Sequence, residues 1–153
     1  MKGFFNRILR INLKSKTFQE ETIVDSVYET YLGGKGLGIY LLMKENPQGV
    51  DPLSPQNKLI FCIGPITDTR IYGSCRHGVF TKSPLTGIFS ESYSGGKVAE
   101  PMSRTGYDAF ILESSRGVSL TSGSGGSGRS CSFLTKTGER IKKISNPRGC
   151  KNR

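Results

Sequence analysis

Residues 78–93 read GVFTKSPLTGIFSESY, and how they divide decides what kind of chain this is. On either side of Ser83-Pro84-Leu85-Thr86-Gly87 stands a short run carrying β-branched or aromatic residues. Proline presets φ early in a turn and glycine closes it, so those five residues reverse the chain. The stretch reads as a hairpin, and an isolated hairpin is marginal in water, so a wider sheet must receive it.

Further strand signals lie on both sides. "KLIFCIGPI" (58–66) is an unbroken apolar run ended by Gly64-Pro65, the pattern of a buried strand. "RILRINL" (7–13) alternates Ile8 or Leu9, Ile11 and Leu13 with Arg10 and Asn12. "KSKT" then turns the chain into "TFQEETI" (17–23), and "YDAFILE" (107–113) adds one more strand. Helical segments are interspersed. Ser26 and Glu29 have capping-box spacing ahead of "VYETYL". "GGKGLG" (33–38) runs into "IYLLMKENP", a helix apolar nearly all round (Leu37, Ile39, Tyr40, Leu41, Leu42, Met43) and therefore expected to be buried. "SGGKVAEPMSRTG" (94–106) reads as a third helix, opened by glycines and interrupted at Pro101. Strands and short helices mix without strict βαβ alternation, so the class is α+β.

The chain has 153 residues and a formal net charge of +10, of which +8 lies in residues 114–153. That segment is Gly/Ser-rich and then basic, too poor in apolar residues to offset the entropy of ordering. The expected organisation is a domain over 1–113 and a poorly ordered tail over 114–153, with "RSCSFLT" as its one candidate strand. A basic tail with a single aromatic, Phe133, offers no stacking platform, which argues against nucleic-acid binding. "GSGGSGRS" (123–130) resembles a phosphate loop with Arg129 in the lysine position, but lacks the flanking strand and helix and reads as a linker. No apolar run is long enough to span a membrane, and no secretory signal is visible, so a cytoplasmic location is expected.

Cys62, Cys75, Cys131 and Cys150 are separated by 13, 56 and 19 positions, which fits no usual zinc or iron–sulfur motif. Cys62 reads as a small core residue and His77, the lone histidine, as structural. The stretch with functional chemistry is "GSCRHGVFTKSPLTG" (73–87) together with "SESYSGG" (90–96). Arg76 can offer a bidentate fork to a phosphate or carboxylate, and Gly95 and Gly96 let backbone amides approach an anion. The same residues could equally be a solvated, turn-rich sheet edge. For "GGKGLG" the choice lies between close helix packing and phosphate binding at a helix start.

In order and spacing, "DPLSPQNKLIFCIGP", "TKSPLTG", "SGG" and "GYDA" resemble the N-terminal domain of the aldehyde ferredoxin oxidoreductases, the tungsten-pterin enzymes, over residues 4–113. The resemblance implies an intertwined-repeat domain with two β-sheets, here incomplete, that forms a base for a tungsten (or molybdenum) bis-pterin. It implies that Arg76 contacts the cofactor's phosphate region, that Tyr93 gives a backbone carbonyl to magnesium where the family usually has asparagine, and that Gly95, with Gly96 beside it, makes a backbone contact. It also implies oxidation of aldehyde to carboxylate, with electrons leaving for ferredoxin through a [4Fe-4S] cluster on other domains. This chain is expected to bind no cluster, to name no catalytic residue of its own and to be inactive alone. The alternative expectation is a non-catalytic pterin-binding module that complements a separately encoded partner or a second copy of itself.

Overall fold

The computed structural model describes residues 3–113 and three short strands within 122–145; the remaining residues, 1–2 and the rest of 114–153, lie outside the described set. Residues 3–113 build one six-stranded mixed sheet in the order β2-β1-β6-β3-β4-β5, from β1 (Arg7–Asn12), β2 (Thr17–Thr22), β3 (Leu59–Ile63), β4 (His77–Lys82), β5 (Phe89–Ser94) and β6 (Ala109–Glu113). All neighbours run antiparallel except β1 and β6, which are parallel, with Ile8 opposite Ala109 and Asn12 opposite Glu113. The α+β class and the hairpin around Ser83–Gly87 hold. The last strand of the domain, β6, takes the centre and joins the N-terminal hairpin to the rest.

The period-2 alternation of these strands gives the sheet two apolar faces. Ile8, Ile60, Cys62, Phe80, Ala109 and Ile111 meet α1 (Asp25–Tyr31) and α2 (Lys35–Glu45). Leu9, Ile11, Ile63, Phe110 and Leu112 share the other face with Met102 of α3 (Ala99–Arg104). Cys62 is fully buried, and burial pushes its thiol pKa up, so it is an inert core residue as expected.

Three local expectations are corrected. The α1 cap is Val24, with no side-chain cap bond, and Ser26 lies inside the helix. No capping box forms, because the helix begins before the residues that would make one. Pro101 does not interrupt α3; it is the third residue of the helix, in the first turn, where a missing N–H breaks no intrahelical bond. In α2, Leu37, Leu41 and Leu42 are buried, but Met43 is 78% exposed, so one side of this apolar helix faces outward.

The glycines of α2 explain how close it lies to its neighbours. A Cβ on Gly38 would stand 2.3 Å from the Phe80 ring, and one on Gly36 would stand 1.9 Å from the Tyr31 carbonyl oxygen. Neither position admits any side chain, so close packing is the reading for these two.

In the tail, β7 (Ser122–Ser124), β8 (Ser130–Leu134) and β9 (Arg140–Ser145) form a separate antiparallel sheet in the order β7-β8-β9. The expected "RSCSFLT" strand is β8. The linker glycines at 125–128, Arg129 and most of the segment expected to be poorly ordered lie outside the described residues.

Candidate functional site, a cavity at the strand ends

A cavity of about 250 Å³ opens where β3 ends, β4 begins and α2 starts; Gly34, Cys62, Gly64, Thr67, Arg76, Gly78 and Tyr93 are among the residues lining it. Two of the sequence-predicted residues, Arg76 and Tyr93, therefore share one wall system although 17 positions separate them. Gly95 and Gly96 are not in the lining. They follow β5 directly, and a Cβ on Gly95 would lie 3.9 Å from Cys75 Sγ, the neighbour of Arg76. Gly96 takes φ +85°, which favours glycine.

The loop that presents Arg76 is tied down at several points. The Thr67 hydroxyl accepts from the Gly64 N–H at 3.1 Å and donates to the Arg76 carbonyl at 3.4 Å. Ser103 of α3 donates to the Thr67 carbonyl at 3.3 Å. Asp68 takes two bonds of 2.9 Å from the Arg104 guanidinium, a bidentate pair that fixes the loop to α3. The Arg76 side chain itself is exposed and has no ion pair or hydrogen bond among the described residues. The framework holds its backbone and leaves its charge free.

The start of α2 faces the same cavity. Gly34, in the lining, is its N-cap with φ 57°, offers no side-chain cap, and no acid occupies the first turn. The Gly34 N–H is itself taken by the Ile63 carbonyl at 3.0 Å, so what the start of α2 brings to this wall is its positive dipole end. The "GGKGLG" stretch therefore divides. Gly36 and Gly38 serve packing, whereas Gly34 lines the cavity.

Tyr93 closes the opposite wall. Its ring stacks edge-on to Phe80 at 6.0 Å, over Gly78, where a Cβ would approach within 3.1 Å of it. Its hydroxyl donates to Glu91 at 2.9 Å, and Glu91 in turn pairs with Lys35 of α2 at 2.8 Å. Backbone parity fixes where the Tyr93 carbonyl points. The Ser83 N–H donates to the Ile88 carbonyl, so Thr81, Val79 and His77 bond to Ser90, Ser92 and Ser94. The alternating residues Phe89, Glu91 and Tyr93 turn their N–H and C=O off the sheet. A tyrosine here leaves the carbonyl open because its ring is held aside.

His77 is buried with its Nδ1 unpartnered, and its ring stacks on Phe61 at 6.5 Å. Burial holds its pKa below the ordinary imidazole value. Asp108, another buried group, accepts from the Tyr28 hydroxyl at 2.7 Å and from the Phe5 N–H. Burial raises its pKa against those donors, and its role is to seat the N-terminal segment. Sequence reasoning does not single out Thr67, Asp68 or Arg104, and nothing local announces that α3 reaches this loop; Gly34 belongs to the "GGKGLG" stretch that it weighs between packing and phosphate binding.

The fold is a six-stranded mixed sheet with a cavity at its strand ends that Arg76, Gly34 and Tyr93 line, and comparison with known proteins identifies its family. The model of the aldehyde ferredoxin oxidoreductase N-terminal domain matches residues 8–119, six residues past the change of texture at Glu113. The tungsten-containing aldehyde ferredoxin oxidoreductase of Pyrococcus abyssi is 45% identical over 113 residues, 74% of this chain and 19% of that protein. Its counterpart in Pyrococcus horikoshii is 44% identical over the same share. A more distant relative, the aliphatic sulfonate oxidoreductase WOR-like subunit of Pyrococcus furiosus, is 28% identical over 115 residues, 73% of this chain and 18% of that one. Among solved structures, the active site complex BamBC of benzoyl coenzyme A reductase in complex with 1,5-dienoyl-CoA superposes with a TM-score of 0.71 and 31% identity, covering 74% of this chain and 17% of that one. The chain belongs to the aldehyde ferredoxin oxidoreductase family and matches its N-terminal domain. It spans about a fifth of the length of the curated relatives.

Proposed function

We propose that residues 1–113 are the cofactor-seating part of a tungsten-pterin aldehyde:ferredoxin oxidoreductase, with 114–153 a separate tail. The observation that carries this reading is that Arg76, whose side chain has no ion pair or hydrogen bond among the described residues, Gly34 at the uncapped start of α2, and Tyr93 line one cavity. The donor set fits the group. Guanidinium and amide N–H groups suit phosphate, and a backbone carbonyl is a hard oxygen ligand of the kind magnesium takes. About 250 Å³ lies below the usual 300–1,000 Å³ of a whole ligand pocket, so this wall receives the phosphate end of the cofactor rather than all of it.

In this reading Arg76 holds a phosphate, Tyr93 offers its carbonyl to magnesium, and Gly95 and Gly96 allow close backbone approach. The tungsten centre, when bound, supplies the two-electron oxidation of an aldehyde to a carboxylate. What this chain supplies is fixed positive charge, a wall without side chains at Gly64 and Gly78, and a loop clamped by Asp68 and Arg104. Transfer of electrons to ferredoxin through an iron–sulfur cluster belongs to other parts of the family enzyme, so this chain alone oxidises no aldehyde.

A second reading, a binding module completed by a separate polypeptide, is favoured by the exposed apolar side chains of Ile66, Ile71 and Tyr72 on the loop beside the cavity, and by a relative that is itself named as a subunit. In either reading the phosphate seat is the same.

The test is calorimetric titration of the full chain with magnesium pyrophosphate. Arg76→Ala should weaken binding by about tenfold or more, the worth of a charge-assisted bond. Equal binding by the two proteins would remove Arg76 from the site and with it this reading.

A further inference from the structure

Lys35 is the first residue of α2 and follows Gly34, which lines the cavity. Its amine donates to Glu91 of β5 at 2.8 Å, and Glu91 accepts the Tyr93 hydroxyl on its other oxygen at 2.9 Å. This chain of contacts runs from the start of α2 to Tyr93, so both of its ends stand at the cavity. As a joint between α2 and β5 the pair has the wrong polarity. A cation in the first turn of a helix meets the positive dipole end, and no acid in that turn offsets it. An acid on α2 and a lysine on β5 would suit the helix, and the lysine would guard the edge strand as well.

We propose that Lys35 is a second cation of the phosphate seat, held in reserve by Glu91 until an anion enters the cavity. The inference rests on the phosphate-seat reading and adds a binding residue to it. Among the described lining residues Arg76 is the one charged side chain, and a magnesium pyrophosphate carries more negative charge than one guanidinium matches. Three features let Lys35 supply the rest. Its side chain is 57% exposed, and an exposed ion pair is weak, so leaving Glu91 costs little. The Cα–Cβ bonds of a helix tilt towards its N-terminus, so Lys35 leans to the Gly34 end of α2, where the cavity is. Glu91 keeps the Tyr93 hydroxyl and gains water, so its carboxylate is not orphaned and the Tyr93 ring stays held aside from its own carbonyl. The seat gains a charge by one side-chain rotation, with the backbone unmoved.

Calorimetric titration of the full chain with magnesium pyrophosphate tests this, with circular dichroism showing each variant folded. Lys35→Met should weaken binding by about threefold or more, while Lys35→Arg, which keeps the charge, should stay within about twofold of the wild type. Glu91→Gln leaves an acceptor for the Tyr93 hydroxyl but releases the lysine, and should tighten binding by about two- to fivefold, the worth of an exposed pair. In a Lys35→Met background that gain should shrink, because no pair remains to break. A Glu91 that acts only through its own charge would give at least the same gain without the lysine. Acetylation of amines read by mass spectrometry should slow at Lys35 when magnesium pyrophosphate is added. Weakened binding in Arg76→Ala with none in Lys35→Met would overturn this inference and leave the phosphate seat standing. Equal binding by the wild type and Arg76→Ala would remove both. An undiminished Glu91→Gln gain in the Lys35→Met background, or unslowed acetylation of Lys35, would likewise return the pair to a surface contact.

Discussion

Two arginines stand at opposite ends of the same sheet and have opposite surroundings. Arg10, on β1, bonds to Glu21 at 2.6 Å, Glu45 at 2.9 Å and Glu113 at 2.7 Å, and Glu113 also receives Lys58 at 3.0 Å. These groups join β1, β2, β6 and α2, and their side chains are mostly out of solvent. Arg76, where β4 begins, has no partner of its own among the described residues, although its loop is clamped by Thr67, Asp68 and Arg104. An arginine that satisfies every carboxylate around it is a joint of the fold. An arginine held by its backbone with its charge free is, in the proposed function, the seat of a phosphate.

The largest difference should appear on truncation. Arg10→Met leaves Glu45 partly buried without its cation and Glu113 with Lys58 alone, and breaking such a network costs about 3 kcal/mol. Arg76→Ala removes no contact and should change stability by less than about 0.5 kcal/mol, a typical surface value. Urea unfolding of both variants measures this directly. Comparable losses would mean that Arg76 is structural after all.

A smaller contrast lies in the glycines of the two regions. Gly38→Ala drives a methyl into the Phe80 ring, which Gly78, Phe89 and Tyr93 already hem in, and should cost about 1–3 kcal/mol as overpacking. Gly95→Ala meets only Cys75 at ordinary contact distance and should be near neutral. The midpoints of thermal unfolding would order the two. A destabilised Gly95→Ala would show that the open end is packed by groups outside the described residues.

The strands are legible because their apolar periodicity is local: the hairpin at 78–93, the run at 58–66 and the alternation at 7–13 each carry their own signal. The capping-box spacing at Ser26 misleads because it recurs by chance inside a helix. Pro101 misleads because its effect depends on which turn it occupies. Of the site, Arg76 and the glycine pair are visible as residue types and Tyr93 by resemblance. The Thr67, Asp68 and Arg104 clamp is not, since it depends on α3 folding back 36 positions to reach the loop. The helix start at "GGKGLG" is legible only as a choice, because Gly36 and Gly38 pack closely while Gly34 of the same motif lines the cavity.

The smallest expected effect concerns pH and belongs to the open end. Burial lowers the His77 pKa, and its Nδ1 has no hydrogen-bond partner among the described residues, so the folded chain favours the neutral ring while the unfolded chain binds a proton at the ordinary value. A group with a depressed cationic pKa adds stability above the unfolded value, and that stability falls as pH drops from the ordinary imidazole value towards the folded one. The Glu113 carboxyl works lower down. Burial raises it, but Arg10 and Lys58 outweigh burial and hold its pKa down, so its stabilisation is lost only in stronger acid. Urea midpoints followed from neutral to mildly acidic pH should therefore decline in the wild type and stay flatter in His77→Phe, which keeps a ring against Phe61. Parallel declines would mean that another group, not His77, titrates in that window, and that the unpartnered nitrogen is satisfied in solution.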